Sequence, residues 1–188
     1  MVEIHLISNK LNNKIFNRIN DIKLFNSIDN LTGGDLLISY SNGKIIPTEV
    51  LLKYEIKINF HCGPLEYPGP DPHHWACYEK SKFYGGVCHL MNAKPDNGEI
   101  IKSLKTQIAN KLNPLEIDII GEKSINMLFL SMVDNINSLQ ISPNKEKWIG
   151  KYKSRKDLIS MCDFSGLNKF EIEHRKFAFS GFEKYFKY

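Results

Sequence analysis

The sequence predicts an α/β domain with a mainly parallel sheet, and three observations lead to this fold class. Short apolar segments alternate with segments of helical spacing over the first third of the chain, which is the order that parallel sheets with crossover helices produce. The segment 35–41, DLLISYS, carries a near-continuous apolar run after Gly33 and Gly34, as expected of a strand buried on both faces. The length of 188 residues, with 42% hydrophobic and 24% charged residues, suits a single globular domain.

The first elements are predicted from spacing, in chain order. Residues 2–8 alternate between apolar and polar side chains and indicate a strand, and residues 22–29 repeat that pattern. Between them, residues 14–21 place their apolar side chains on one side, which predicts a short helix. Pro47 marks the start of the next helix, and residues 57–61 form another short strand.

The C-terminal half is less regular. Residues 99–108 are either an edge strand or the start of a helix, since periodicity alone does not decide. Residues 113–137 have helical spacing, and we expect a kink or break at Gly121. Ser154, followed three residues later by Asp157, is a helix start that resembles a capping box.

The last segment, from residue 170 onward, is rich in aromatic residues and is expected to dock on the body of the protein or on a second subunit. We therefore divide the chain into an α/β domain, residues 1–142, and a helical or irregular C-terminal extension, residues 143–188. The extension either packs on that domain or lies at the interface of a homodimer.

Composition excludes several classes of protein. No stretch of about 18 apolar residues occurs, so we expect no membrane-spanning helix and no membrane partner. The N-terminus has no basic segment followed by a long apolar one, so we expect no secretory signal and a cytoplasmic location. The four cysteines are expected to be reduced thiols. A formal net charge of +4 is compatible with an anionic substrate and too small to require nucleic acid.

Three polar residues form the candidate catalytic group. Asn59 and His61 are separated by one residue at the end of a predicted strand, so their side chains are expected to converge on one cleft. Asp96 lies in the turn PDNGE. An amide that stabilises an oxyanion, an imidazole that manages protons and a carboxylate that orients it suit acyl transfer. Taken alone, an N-x-H pair and a D-x-G turn are more often structural than catalytic.

The order of motifs around these residues resembles that of the formyltransferase family that uses N10-formyltetrahydrofolate. The resemblance covers residues 33–101, including the loop HCGPLEYPGPDPHHW, which holds four of the eight prolines. Within the family, the chain is most similar to the sugar N-formyltransferases. The resemblance rests on Asn59 and His61, the turn Tyr67-Pro68-Gly69, Trp75-Ala76, Gly86-Val87, His89 to Met91, and Asp96 to Gly98.

The resemblance implies a fold and an activity. The N-x-H pair lies farther along the chain in that family, so a Rossmann-like formyltransferase domain shortened in its first α/β units is expected. N10-formyltetrahydrofolate would be the formyl donor, and the acceptor would be the amino group of a nucleotide-linked deoxyamino sugar. Asn59 would stabilise the oxyanion, His61 would assist proton transfer, and Asp96 would tune His61 and organise water.

Binding residues follow from the same resemblance. The family makes backbone contacts to the folate at the positions of Tyr40, Ser41 and Asn42, although an ordinary strand-to-helix turn explains these residues equally well. The acceptor side would comprise six residues of the following loop and helix, whose two histidines have an alternative role as a helix cap or as solvent-facing groups. These six residues are Tyr67, Pro68, Gly69, His73, His74 and Trp75.

Other functions are considered on the same residues. The histidines and cysteines between His61 and His89 do not have the paired spacing of structural zinc sites, so no metal is expected. Basic residues between Lys151 and Lys156 are more typical of a solvated face than of a diphosphate or RNA site. Only residues 143–188 follow the α/β domain, too few for the barrel with which methionyl-tRNA formyltransferases grip tRNA. A glycinamide ribonucleotide-type formyltransferase and a non-catalytic module that binds folate or nucleotide sugar remain as alternatives.

Overall fold

The structure, a computed structural model, describes residues 2–188. In this part of the chain a six-stranded sheet has the strand order β2-β1-β3-β4-β5-β6. The first four strands pair in parallel, and β5 is antiparallel to both β4 and β6. The predicted α/β class with a mainly parallel sheet is confirmed. The strands are β1 Ile4–Ser8, β2 Ile22–Phe25, β3 Gly34–Tyr40, β4 Tyr54–His61, β5 Phe83–Leu90 and β6 Ile100–Gln107.

Along residues 2–188, six α-helices accompany the sheet. The connections before β4 are short, because they contain only two 3-10 helices, Lys14–Arg18 and Ile28–Asn30, and a four-residue α-helix. The helix predicted at 14–21 is therefore a single 3-10 segment, capped by the Asn13 side chain. The α-helices are α1 Thr48–Leu51, α2 Pro72–Tyr78, α3 Pro114–Leu130, α4 Val133–Asn137, α5 Arg155–Met161 and α6 Lys169–Ala178.

Apolar side chains cover both faces of the parallel strands. On one face, Ile38 of β3 belongs to a cluster with Phe129 of α3. On the other face, Leu37 of β3 clusters with Leu51 of α1. The last five residues of β3 are consequently all buried, as the near-continuous apolar run predicts.

Helix α3 runs without interruption through Gly121, so the expected kink or break there is wrong. A Cβ atom at this position would lie 2.9 Å from Cε1 of Tyr84 and 3.1 Å from the carbonyl oxygen of Cys62. The glycine therefore permits the close approach of α3 to β5 and to the end of β4. Packing of the helix on the sheet outweighs the poor helix propensity of glycine.

Replacing Gly121 with Ala is expected to destabilise the protein, although the same change usually favours a helix. The added methyl group must displace Tyr84 or the helix, and overpacking costs about 1–3 kcal/mol of the free energy of unfolding. Urea denaturation followed by circular dichroism measures this loss. Lys123→Ala, on the exposed side of the same helix, is the control. A Gly121→Ala protein as stable as the wild type would contradict the close approach.

In the C-terminal half, the structure decides two points that the sequence left open: the element at residues 99–108 and the place where the aromatic tail docks. Residues 100–107 form the edge strand β6, because their backbone pairs with β5. Helix α5 begins with the predicted capping box, in which Ser154 and Asp157 bond each other's backbone N–H groups. The aromatic tail docks on the body through Phe179 and Phe182, which cluster with Trp75. The division at residue 142 stays a prediction. None of the helices within residues 2–188 is long and apolar enough to cross a bilayer.

Candidate active site

The candidate site lies where β4 ends and the turn after β5 begins. Asn59 and His61 are the sixth and last residues of β4, and Asn59 pairs with His89 in the antiparallel ladder between β4 and β5. Asp96 lies in a turn seven residues after His89 and has a left-handed φ of 44°. Alternation along β4 and the return of the chain from β5 thus bring an amide, two imidazoles and a carboxylate together.

Asp96 is the centre of this group. Its Oδ2 accepts a hydrogen bond from the backbone N–H of Gly69 at 3.0 Å and lies 3.6 Å from Nδ1 of His61. Its Oδ1 lies 3.3 Å from Nε2 of His89 and accepts a longer hydrogen bond, 3.4 Å, from Nδ2 of Asn59. Every predicted catalytic side chain therefore lies within 4 Å of this carboxylate.

The surroundings of Asp96 favour its ionised form. Burial opposes ionisation, but the charge of His61, a hydrogen bond and charge from His89, and the N–H of Gly69 outweigh it. Together these groups hold the pKa of the Asp96 carboxyl well below its usual range. The site thus contains a fixed negative charge between two imidazoles.

Because of this lowered pKa, the free energy of unfolding depends on pH in the acid range. A carboxyl whose pKa is lower in the folded chain than in the unfolded chain stabilises the fold. This contribution is complete above the unfolded pKa, about 3.9 for Asp, and is lost as the pH falls toward the folded pKa. We expect the free energy of unfolding of the wild type to fall more steeply below about pH 4 than that of Asp96→Asn. Urea titrations at a series of acid pH values measure both slopes, and equal slopes would contradict the lowered pKa.

His61 is held by one hydrogen bond and faces one carboxylate. Its Nε2–H donates to the backbone carbonyl of Tyr67 at 2.9 Å, and its Nδ1 faces the Asp96 carboxylate. A backbone carbonyl can only accept, so this bond places a proton on Nε2. The 3.6 Å between Nδ1 and Oδ2 of Asp96 is longer than a hydrogen bond. An imidazole that is oriented in this way beside a carboxylate can assist proton transfer.

A cleft of about 780 Å³ opens beside this group, at the carboxyl ends of the parallel strands. Three residues on its wall have left-handed φ angles although they are not glycine: Ser41 at 46°, Asp71 at 56° and Asp96 at 44°. Four other non-glycine residues with positive φ lie away from the cleft, so this conformation does not by itself mark the site: Asp21, Lys80, Lys111 and Leu139. The predicted site residues that line the cleft are Ser41, Asn42, Asn59, His61, Gly69, His73 and Asp96.

Other predicted binding residues have their side chains in the core. The Tyr40 hydroxyl donates to Oδ1 of Asn126, and Tyr67 and Trp75 belong to the cluster that the C-terminal tail covers. His74 is buried and donates from Nδ1 to the carbonyl of Ala178 at 2.7 Å.

The Y-P-G turn reaches the site through its backbone. Pro68 accepts a hydrogen bond from the backbone N–H of Lys153, and Tyr67 contributes its carbonyl to His61. Gly69 has a φ of 111°, and a Cβ there would lie 2.3 Å from the carbonyl oxygen of Lys153. Only glycine fits this position, which presents an N–H to Asp96.

His73 lines the cleft beside an acidic partner. Its Nδ1 lies 3.5 Å from Oδ1 of Asp118 on α3. Burial, with the charges of His74 and Arg155, lowers the pKa of His73 to about 3, so its ring is neutral near pH 7. Within residues 2–188 no group of three or more histidine, cysteine or acidic side chains is arranged to hold a metal ion.

Two residues of the site were not among the predicted site residues. His89 is 2% exposed and contacts both Asn59 and Asp96; the motif that includes His89 and Met91 was the signal for it. Trp148 contacts His61 and His89 from the segment between α4 and α5. No local pattern marks Trp148, because its segment has no regular secondary structure.

A scan of protein-family models and a search of curated proteins both give no match. Solved structures are similar. A 4-N formyltransferase from Francisella tularensis has a TM-score of 0.77 at 18% identity, covering 94% of this chain and 87% of that one. The N-formyltransferase from Helicobacter canadensis in complex with folinic acid and dTDP-3-aminofucose has a TM-score of 0.67 at 17% identity, covering 95% and 81%.

The formyltransferase PseJ from Anoxybacillus kamchatkensis, in complex with UDP-4,6-dideoxy-4-formamido-L-AltNAc and tetrahydrofolate, has a TM-score of 0.71 at 20% identity, covering 92% of this chain and 97% of that one. At such identities the likeness shows the fold. This chain therefore has the α/β fold found in these formyltransferases, as its motifs predict.

Proposed function

We propose that this protein transfers the formyl group of N10-formyltetrahydrofolate to the amino group of a nucleotide-linked deoxyamino sugar. The observation that carries the proposal is the convergence of Asn59, His61 and Asp96 beside a large cleft, in a fold shared with formyltransferases. Two similar structures hold a folate together with a nucleotide sugar, which supports this pair of substrates.

The residues of the cleft fit a folate donor. Ile46, Leu51 and Met91 supply apolar surface for a flat aromatic ring, and the amides of Asn42 and Asn92 supply hydrogen-bonding groups. Apolar surface combined with placed hydrogen-bonding groups is typical of cofactor sites. When bound, N10-formyltetrahydrofolate supplies the carbon that is transferred.

Cations at the cleft fit anionic ligands. Lys10 is paired with Glu122, and Arg155 with Asp71. Three further lysines line the cleft without an ion-pair partner among residues 2–188: Lys44, Lys94 and Lys156. A folate tail and a nucleotide diphosphate are both anionic, so unpaired lysines favour their capture.

The catalytic side chains have complementary roles. A new bond forms between the acceptor nitrogen and the formyl carbon as the bond from that carbon to the donor nitrogen breaks, and the proton lost by the acceptor nitrogen is returned to the donor nitrogen. Asn59 can exchange its long 3.4 Å bond to Asp96 for a bond to the oxygen on which negative charge develops. His61 assists the transfer of the proton between the two nitrogens, and the Tyr67 carbonyl and the Asp96 carboxylate keep its ring oriented.

A substrate screen tests the proposal. The purified protein is incubated with N10-formyltetrahydrofolate and a panel of nucleotide-linked 3-amino and 4-amino deoxysugars, and products are read by mass spectrometry. We expect one acceptor class to gain a formyl group. Glycinamide ribonucleotide is included in the panel. If it is the only compound formylated, the proposed sugar acceptor is wrong and the protein is a glycinamide ribonucleotide-type formyltransferase.

Calorimetric titration completes the test. Binding of tetrahydrofolate and of a nucleotide sugar without any turnover would identify a non-catalytic module and overturn the enzymatic proposal. Absence of binding by either compound would overturn the assignment of the cleft itself.

A further inference from the structure

The segment between α4 and α5, residues 138–154, is irregular but fixed along its length. The backbone N–H of Asn144 donates to the carbonyl of Ile100 at 2.7 Å. That of Ile149 donates to the carbonyl of Leu65 at 2.9 Å. These bonds place the residues between them directly behind the ends of β4 and β5.

Trp148 lies at the centre of this segment and contacts two histidines. The ring centroids of Trp148 and His61 are 5.7 Å apart at an interplanar angle of 78°. Those of Trp148 and His89 are 5.2 Å apart at 75°. Near-perpendicular rings about 4.5–7 Å apart are a favoured aromatic arrangement. One indole therefore restricts the rotation of both imidazoles that flank Asp96.

The same side chain also fixes the turn that carries Asp96. Nε1–H of Trp148 donates to the carbonyl of Gly98 at 3.0 Å. Gly98 is two residues after Asp96, whose left-handed backbone sets the direction of the carboxylate. Trp148 thus contacts His61 and His89 through its ring and holds the turn of Asp96 through its N–H.

We propose that Trp148 is a positioning residue of the active site, which sets the orientation of His61, His89 and Asp96 relative to one another. The inference rests on the proposed function. Trp148 is not among the residues that line the cleft, so it acts through these three side chains and not through substrate. Small misplacements of catalytic groups have large costs, because reaction requires near-attack geometry.

Two substitutions separate the contributions of the indole. Trp148→Phe keeps an aromatic ring and removes the N–H donor, and we expect kcat to fall about tenfold, the effect of one lost hydrogen bond. Trp148→Ala removes both contacts, and we expect kcat to fall about 100-fold. KM for both substrates is expected to stay within about threefold of the wild type, because no ligand contact is removed. Ile149→Ala, whose side chain is 70% exposed on the same segment, is the matched control.

A spectroscopic measurement tests the positioning without any substrate. Long-range ¹H–¹⁵N spectra report the ring nitrogens of each histidine, and we expect both variants to shift the signals of His61 and His89. His174, on α6, is the internal reference and is expected to keep its signals. If the Trp148→Ala protein does not fold, the spectra and kcat of Trp148→Phe decide whether Trp148 positions the two histidines.

The outcomes are distinct. A folded variant with kcat within about twofold of the wild type overturns the proposal, and so do unchanged ring signals of His61 and His89. If the wild type formylates no acceptor, the proposed function fails, and the ring signals alone decide whether Trp148 positions these side chains.

Discussion

Replacing Asp96 with Asn is expected to lower kcat about 10³-fold to 10⁴-fold, as for other carboxylates that orient a catalytic imidazole. Both oxygens of Asp96 accept hydrogen bonds, one from the Gly69 backbone and one from Asn59. A side-chain amide at this position must turn its NH₂ group toward one of these donors. The substitution therefore removes the charge between the histidines and also breaks the hydrogen-bond network.

Steady-state kinetics with the acceptor found in the screen measures this effect. Asp134→Asn, on the exposed side of α4, is the charge-matched control and is expected to keep wild-type kcat. Thermal unfolding establishes that the Asp96→Asn protein is folded at the assay temperature. A folded variant with near-normal turnover would remove Asp96 from the catalytic group.

Replacing Asn59 with Ala is expected to lower kcat about 10²-fold to 10³-fold, the usual cost of losing an oxyanion donor. The amide is held by His89 at 3.1 Å and by Asp96 at 3.4 Å, so its position is fixed before substrate binds. An interaction made only in the transition state changes kcat more than KM. Equal losses of binding and turnover would indicate a role in binding substrate.

The double variant of Asn59 and Asp96 tests whether the two side chains act as one unit. Because each contacts the other, we expect its loss of kcat to be smaller than the sum of the two single losses on a free-energy scale. Strict additivity would contradict a shared network. Asn135→Ala, exposed on α4, is the control for removal of an amide elsewhere in the chain.

Periodicity and local chemistry predicted much of the framework. The strands around residues 2–8, 35–41 and 57–61 and the capping box of Ser154 follow from alternation and from side chains that bond nearby backbone groups. Such signals act over a few residues, so they are readable in one dimension. The same limit explains the error at Gly121, where contacts with β4 and β5 outweigh local propensity.

The sequence by itself determined the α/β class, the N-x-H pair at the end of a strand and the order of motifs that joins it to Asp96. Only the tertiary structure decided which predicted residues meet at the cleft and which, such as His74 and Trp75, point into the core. It alone placed His89 and Trp148 against the candidate catalytic group. The physical reason is that spacing along the chain fixes the face of an element, whereas contacts between distant segments depend on how the sheet and its covering helices pack.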